Sequence, residues 1–287
     1  MRLLGIGDNV MDAYLFQNKL YPGGNAVNVA VLAGRFGAQA GYLGILANDA
    51  PGRHFRSALL EEGLDLSRLR TGEGRTACNY ITIDESGDRH FAGNNGSDVV
   101  QMMYALALNR ADCDYVSTFD IAHTSIHSLI DAYLPALSHK TQLSMDYSND
   151  GYTHQNIAQL APLLSFAFFS GGGKSDEEVR GLARYTANHG ARTVIVTRGM
   201  RGSYIFENGK EHFQQAYAAE HVIDALGAGD AFIASFLTEY ANSKGDIPAS
   251  AEAASRFAGK CCAHFGAFDH AMALPQDMYP SGDSDRI

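Results

Sequence analysis

A glycine-rich loop followed by a helix carries the residues best suited to chemistry. The segment 223–232, IDALGAGDAF, precedes apolar residues at helical spacing. Gly227 and Gly229 flank Ala228 and allow a tight turn, and the helix offers unpaired amides with its positive dipole end toward the loop. This predicts an anion hole, in which Asp230 could serve as a base or simply cap the helix.

A second glycine turn lies near the start of the chain. Gly23 and Gly24 precede a helical segment that places Asn25 and Asn28 on one face of its first turn. Asn side chains donate and accept, as recognition of sugar hydroxyls requires, although one of them could cap the helix. Asp8 follows the first predicted strand, where ligands of open α/β sheets gather, or is an ordinary turn residue.

A third glycine turn follows an apolar strand. Thr197 ends that strand, and Gly199 and Gly202 precede another strand-like run. Such a turn could let a nucleotide approach the backbone closely, or it could form a plain hairpin.

Short apolar runs alternate with helical segments and indicate the elements that position these turns. The predicted strands are 2–6, 41–46, 121–123, 142–146, 166–169 and 193–197, and the clearest predicted helices are 26–36, 128–137 and 176–189. This alternation predicts a three-layer α/β fold with a mostly parallel central sheet. Residues 11–21 and 77–92 alternate apolar and polar types, which predicts a small β lid over the sheet's edge.

Composition limits the classes of protein. The 287 residues are 46% hydrophobic and carry a net charge of −10, which argues against general affinity for nucleic acid or an anionic membrane. The first ten residues do not resemble a signal peptide and no apolar run approaches a spanning length, so we expect a cytoplasmic protein with four reduced cysteines. The tail 270–287 is polar and rich in turn formers, and we expect it outside the core or disordered. An apolar lid face would favour a homodimer paired through the lid.

The three turns, in this order and spacing, resemble the signatures of the ribokinase family, which includes the B-type phosphofructokinases. The similarity covers roughly residues 1–269 and rests on 23–28 (GGNAVN), on Thr197-x-Gly199-x-x-Gly202 and on Asp224-x-x-Gly-Ala-Gly-Asp230. It implies a kinase that uses ATP and Mg²⁺, with a monovalent cation in parts of the family. Residues 7–9 and 23–30 are most similar to bacterial fructoselysine 6-kinases, which implies fructoselysine or a related Amadori sugar. Ribose, fructose, fructose phosphates and nucleosides such as adenosine are the alternatives on this scaffold.

The resemblance also implies a role for each site residue. Asp230 would be the catalytic base, and the amides of Gly227, Ala228 and Gly229 would stabilise charge on the γ-phosphoryl group. The implied sugar ligands are Asp8, Asp12, Gly23, Gly24 and Asn28, and the implied nucleotide residues are Thr197, Gly199, Gly202, Gly259 and Cys262. Arg89 on the lid either points toward substrate or phosphate, or is a solvated hairpin arginine.

Two features depart from the family pattern. Family members usually carry an Asn-x-x-Glu motif that organises magnesium, whereas residues 170–178 read SGGGKSDEE. Glu177 or Glu178 could act through water, but Ser175-x-x-Glu178 also fits a capping box. Ala225 replaces the usual Thr or Ser, with the predicted base retained. The missing motif motivates one alternative from another class, a sugar or nucleotide sensor without phosphoryl transfer, against which the complete Asp230 loop argues.

Two other motifs carry little weight. Residues 173–175, GKS, resemble the end of a P-loop, but the first glycine would have to be residue 168, which is Phe. His123-x-x-x-His127 has helical zinc spacing, but His123 ends a predicted strand, so the two rings need not share a face; a residue at this position could instead contact substrate.

Overall fold

A computed structural model describes residues 1–83, 89–149, 152–219 and 221–280. Its largest sheet has eight strands in the order β14-β13-β12-β11-β10-β9-β1-β4. These are β1 (Arg2–Ile6), β4 (Gln39–Leu43), β9 (Ile121–Ser125), β10 (Gln142–Asp146), β11 (Phe166–Ser170), β12 (Thr193–Thr197), β13 (Ser203–Glu207) and β14 (Lys210–Gln214). The first six named are mutually parallel, and β13 and β14 are antiparallel additions.

Helices cover both faces of this sheet because alternate strand residues point to opposite sides. The helices are α1 (Asn25–Arg35), α2 (Ala50–Glu61), α3 (Val100–Met103), α4 (Arg110–Val116), α5 (Leu134–Leu137), α6 (His154–Leu160), α7 (Asp176–Asn188), α8 (Ala228–Asn242) and α9 (Ile247–Cys261). Leu3 packs in a cluster with α1, α8 and α9, whereas Leu4 packs with α4 to α7. The predicted three-layer α/β fold is confirmed. Across the described ranges, no helix has the length and apolarity needed to span a bilayer.

A smaller five-stranded sheet contains strands from both segments of the predicted lid, in the order β15-β3-β2-β7-β8, and is called the lid below. Its strands are β2 (Val10–Tyr14), β3 (Lys19–Gly23), β7 (Cys78–Ile83), β8 (Arg89–Asn94) and β15 (Met272–Ala273). A two-stranded pair, β5 (Ile45–Ala47) and β6 (Arg70–Gly72), lies in the chain between the lid's two halves. Met11 and Leu20 of the lid share a buried cluster with Phe55 of α2, so the lid is anchored to the body by apolar packing.

Three segments differ from the sequence expectation. The predicted strand 41–46 is divided, because β4 ends at Leu43 in the large sheet and Ile45–Ala47 form β5 of the two-stranded pair. The predicted helix 128–137 begins late, as a 3₁₀ turn at Asp131–Tyr133 followed by α5, because Leu129 has a left-handed backbone with φ of 56°. The composition of the tail predicts that it lies outside the core or is disordered, but in its described part, 270–280, β15 pairs with β3, and both Leu274 and Met278 are buried. Because the tail is polar on average, its composition gives no sign of these few apolar contacts. Residues 281–287 lie outside the described residues. All four cysteines are free thiols, as predicted.

Candidate active site

A cavity of about 930 Å³ lies between the lid and the carboxyl ends of β1, β9 and β10. Four carboxylates line it: Asp8 after β1, Asp12 in β2, Asp146 at the end of β10 and Asp230 in the first turn of α8. Parallel strands direct their carboxyl ends to one edge, so side chains far apart in sequence meet here.

The Gly23-Gly24 turn brings the start of α1 against the end of β1. Gly24 has φ of 111°, and a Cβ there would lie 2.6 Å from the Cα of Asn9, so only glycine fits. The Asp8 carboxylate accepts hydrogen bonds from the backbone amide of Asn25 (2.7 Å) and from the hydroxyls of Ser125 (2.7 Å) and Ser128 (2.8 Å). Asp8 therefore joins the first turn of α1 to the end of β9 and the residues that follow it; its predicted contact with sugar stays a prediction.

Asn25 and Asn28 share a helix face, as their spacing predicts, and both contact the predicted base. Asn28 Nδ2 donates to Asp230 Oδ2 at 2.6 Å, and Asn25 Nδ2 donates both to Asp230 Oδ1 at 2.7 Å and to Asp146 Oδ2 at 2.8 Å. Asn28 Oδ1 is buried and accepts no hydrogen bond from the described residues. Because a buried acceptor without a partner is costly, this atom fits a substrate hydroxyl.

His123 orients the Asn25 amide. Its Nε2 lies 2.9 Å from Asn25 Oδ1, an acceptor, and its Nδ1 lies 2.9 Å from the Ser144 hydroxyl. His123 therefore carries its proton on Nε2 and accepts at Nδ1. Burial lowers the pKa of His123 to about 3, so the ring is neutral. Both ring nitrogens of His123 are therefore engaged in hydrogen bonds, and His127 lines the cavity.

Burial also changes the acidity of the carboxyls that Asn25 bridges. It raises the pKa of Asp230 to about 7, with further increases from the charges of Asp146 and Asp8 and opposing hydrogen bonds from Asn28 and Asn25. Burial likewise raises the pKa of Asp146 to about 6. A carboxyl group with a pKa near neutrality is suited to exchanging a proton with a substrate hydroxyl.

The pH dependence of kcat/KM should therefore have an acidic limb near pH 7, with activity rising as Asp230 loses its proton. Asp146→Asn removes the neighbouring negative charge, so the pKa of Asp230 should fall and the limb should move to lower pH. Steady-state rates between pH 5 and 9 measure the limb. Asp114→Asn, which removes an exposed carboxylate on α4, is the control. A limb at the same pH in the Asp146 variant would contradict the coupling.

The loop before α8 is held from beneath by Asp224, a residue that enters the sequence analysis only as part of a motif. This fully buried carboxylate accepts from the hydroxyl of Tyr14 on β2 (2.5 Å) and from the backbone amides of Leu226 (2.6 Å) and Gly266 (3.0 Å). Gly227 follows with φ of 80° and precedes α8, so Asp230 does not cap its own helix but faces α1. Asp224 therefore connects the lid, through Tyr14, to the loop that carries the predicted anion hole.

The predicted nucleotide residues lie on other elements. Gly199 and Gly202 form the turn between β12 and β13, and a Cβ on Gly202 would lie 2.3 Å from the carbonyl oxygen of Gln214. The close approach of β14 therefore explains why residue 202 is a glycine, without any contact to a nucleotide. The Cys262 carbonyl accepts from the amides of Ile223 (2.7 Å) and Asp224 (3.1 Å), which ties the end of α9 to the Asp230 loop. The nucleotide contacts of Thr197, Gly199, Gly202, Gly259 and Cys262 stay predictions.

One of the two residues considered for magnesium, Glu178, has other partners. Glu178 accepts from the backbone amide and hydroxyl of Ser175, both at 2.7 Å, and the Ser175 hydroxyl accepts from the Glu178 amide, so the capping-box interpretation is confirmed. Glu177 is exposed in the first turn of α7. Within the described residues, no group of three acidic, histidine or cysteine side chains is arranged to hold a metal ion.

The remaining predicted sugar ligands lie in strands of the smaller sheet. Asp12 is buried, with Asn79 Nδ2 donating to it at 3.3 Å, and a Cβ on Gly23 would lie 2.4 Å from Asp12 Oδ2. Arg89 begins β8, but its side chain lies outside what the structure describes. No motif in the sequence marks Asp146 or Ser125 as site residues, and His123 is predicted to contact substrate, not to orient Asn25. Their position at strand ends, the signal used for Asp8, would have found them.

Comparison with known proteins decides the family. Residues 5–272 match the pfkB family of carbohydrate kinases. The chain belongs to this family. It is 36% identical over 289 residues to the fructosamine kinase FrlD of Bacillus subtilis, covering 100% of this chain and 99% of that protein. It is 35% identical over 235 residues to the fructoselysine 6-kinase of Escherichia coli, covering 82% and 87%. This carbohydrate kinase is therefore a sugar phosphotransferase.

The fold is also that of solved family members. The structure of Arabidopsis thaliana ribokinase complexed with ribose and ATP superposes with a TM-score of 0.79 at 18% identity, covering 93% of this chain and 94% of that one. Adenosine kinase from Sinorhizobium meliloti gives 0.75 at 19% identity, covering 95% and 97%. Identities this low support the ribokinase-like fold and not a choice among substrates.

Proposed function

We propose that this sugar kinase is an ATP-dependent fructosamine kinase with Asp230 as its base. The observation that carries the proposal is the position of the Asp230 carboxyl group at the start of α8. The side-chain amides of Asn25 and Asn28 hold this group in the cavity, and burial raises its pKa to about 7. Fructoselysine is the substrate we expect first, in line with the names of the two relatives.

The proposed reaction transfers the γ-phosphoryl group of ATP to a sugar hydroxyl. Asp230 accepts the hydroxyl proton as the oxygen forms its bond to the γ-phosphorus, and the bond from that phosphorus to the bridging oxygen breaks to release ADP. The amides of the Gly227–Gly229 turn and the positive end of α8 stabilise the charge on the transferred group. Closure of the lid over the sugar would exclude water, which would otherwise hydrolyse ATP.

Charge in the cavity supports an amine-bearing sugar. The described lining contains Asp8, Asp12, Asp146 and Asp230 but neither Lys nor Arg. Such a cavity attracts the secondary ammonium group of an Amadori compound and disfavours a second phosphate, so fructose phosphates become poorer candidates. Ribose, fructose and adenosine lack the ammonium group that would use this charge.

Magnesium would accompany ATP. Kinase sites commonly bind Mg²⁺ through substrate phosphates and one or two carboxylates, so a dedicated cage of protein ligands is not required. The carboxylate of Asp146 lines the cavity, where it also accepts a hydrogen bond from Asn25, whereas Glu178 lies in its capping box. Mg²⁺ would neutralise phosphate charge during transfer. A role for a monovalent cation stays a prediction.

The test measures the ADP that forms from ATP, in the presence of Mg²⁺, with each of five acceptors: fructoselysine, fructose, ribose, fructose 6-phosphate and adenosine. We expect kcat/KM for fructoselysine to exceed that for fructose at least about 100-fold, since coupling energies between close, oppositely charged groups at binding sites are about 1.5–7 kcal/mol. Equal rates on fructose would contradict the amine preference. Binding without turnover on every compound would favour the sensor alternative.

We also propose a homodimer and a cytoplasmic location. β8 ends the order of the lid sheet, and a terminal strand can pair with the same strand of a second copy. Sedimentation at micromolar concentration should give twice the chain mass; the mass of one chain would contradict the dimer. The predicted use of ATP and the free cysteines fit a cytoplasmic enzyme, which cell fractionation would test.

A further inference from the structure

Large apolar side chains surround the outer part of the cavity. Phe91 of β8, Met102 of α3, Tyr104 after α3 and Leu129 after β9 all line it, yet each is between 43% and 66% exposed. We call these four residues the apolar rim. Single exposed apolar residues are ordinary, but four converging on one concavity from three parts of the chain indicate a binding surface.

Leu129 holds its place in the rim at an energetic cost. It combines a φ of 56°, uncommon for a residue with a Cβ, with a side chain that is mostly exposed. The neighbouring Ser128 hydroxyl donates to Asp8 at 2.8 Å, and a Cβ on Gly7 would lie 2.2 Å from the Ser128 Cβ. The loop is therefore clamped against the end of β1, and strain kept at such a position is typical of functional sites.

The chemistry of the cavity changes from its inner to its outer part. The inner part contains the Asp146–Asn25–Asp230 bridge and Asp12, whereas the rim side chains carry no formal charge. A volume of about 930 Å³ lies at the upper end of the range for sites that enclose drug-sized ligands, so a hexose leaves room to spare. The extra room adjoins apolar surface.

We propose that the apolar rim is a subsite for the substituent on the substrate's amine, and that it prefers aliphatic or aromatic groups. This inference rests on the proposed fructosamine kinase function. With the sugar hydroxyl at Asp230 and the ammonium group near the inner carboxylates, the substituent extends outward between Phe91 and Leu129. Fructosamines of alkyl and aralkyl amines are then the preferred class, and the methylenes of a lysine side chain would use the same surface.

A homologous series of substrates tests the rim. Fructosyl derivatives of methylamine, butylamine, hexylamine and benzylamine are compared by kcat/KM. Full burial of a methylene is worth about fourfold, and the rim is partly open, so we expect an increase of about two- to threefold per methylene. Turnover that is equal across the series overturns the rim and leaves the kinase proposal intact, whereas no turnover on any fructosamine overturns both.

Two variants locate the effect. Leu129→Asn removes the apolar group with a residue that tolerates the left-handed backbone, and Phe91→Thr keeps a strand-forming type, so both should fold. Each should lower the hexyl-to-methyl ratio of kcat/KM at least about threefold. Met103→Ser, at a similarly exposed residue of α3 outside the cavity lining, should leave the ratio unchanged. An unchanged hexyl-to-methyl ratio in both rim variants overturns the subsite. If the ratio is unchanged and the variants also lose a dimer that the natural chain forms, these residues are instead assigned to the contact between two copies.

Discussion

Asp230→Asn is expected to lower kcat about 10³-fold and, above pH 7, to make the fold more stable than that of the natural chain. The rate falls because an amide cannot accept the hydroxyl proton. The stability rises because the carboxyl group is easier to ionise in the unfolded chain, where its pKa is the ordinary 3.8, than in the cavity, where burial raises it to about 7.

The sign of the pH effect follows from these two values. A carboxyl group with a raised pKa in the folded state costs increasing stability as the pH rises from about 4 to about 7, and the cost then stays constant. Asparagine offers only one oxygen to Asn25 and Asn28, and the carboxyl retains some contact with solvent, so we expect a net gain of about 1–2 kcal/mol at pH 8 that disappears near pH 4.

Urea denaturation at the two pH values and single-turnover kinetics measure the two effects. Asp246→Asn is the matched control, because this exposed residue caps α9 and asparagine caps equally well. It should change neither quantity. A kcat within tenfold of the natural chain would exclude Asp230 as the base, and an equal stability gain at pH 4 and pH 8 would exclude its ionisation as the cause.

Gly227→Ala is expected to lower stability by about 2–4 kcal/mol and to reduce kcat more than tenfold. An alanine Cβ would lie 2.6 Å from the Cβ of Ala267, in a backbone conformation with φ of 80° that disfavours any side chain. Relief of this clash must shift the start of α8, and a displacement of the base and amides by even 1 Å can cost about 100-fold in rate.

The matched control for that substitution is Gly181→Ala. Gly181 lies within α7, where an added Cβ would meet no atom of another element within 4 Å, and alanine should stabilise the helix by about 0.5–1 kcal/mol. Thermal unfolding measures both variants, and kcat is measured well below the lower midpoint. If Gly227→Ala were as stable as the natural chain, the close contact with Ala267 would not constrain the loop.

The sequence allowed the elements and the base to be predicted, but not the partners of each side chain. The limits of β1, β10 and β12 follow from apolar runs between turns, and Asp230 follows from its glycine loop. Asn25 is different, because its spacing from Asn28 predicts a shared face but not the bridge to Asp146, 121 residues away. Helix periodicity likewise predicts 128–137 as one helix. It cannot show that the distant Asp8 binds the Ser128 hydroxyl, a contact that helps to hold the first residues of this segment outside a helix.

The pairing of β15 with β3 has a consequence for biosynthesis. β3 leaves the ribosome some 250 residues before its partner β15, and Met11 and Leu20 share their buried cluster with Ala267, Phe268 and Leu274. Until those late residues emerge, the apolar surface of the nascent lid is only partly covered. Contacts of such long sequence separation form slowly and leave the growing chain prone to aggregation. We therefore expect the lid to complete its folding after translation. Until then, chaperones are expected to bind the exposed apolar surface of its strands.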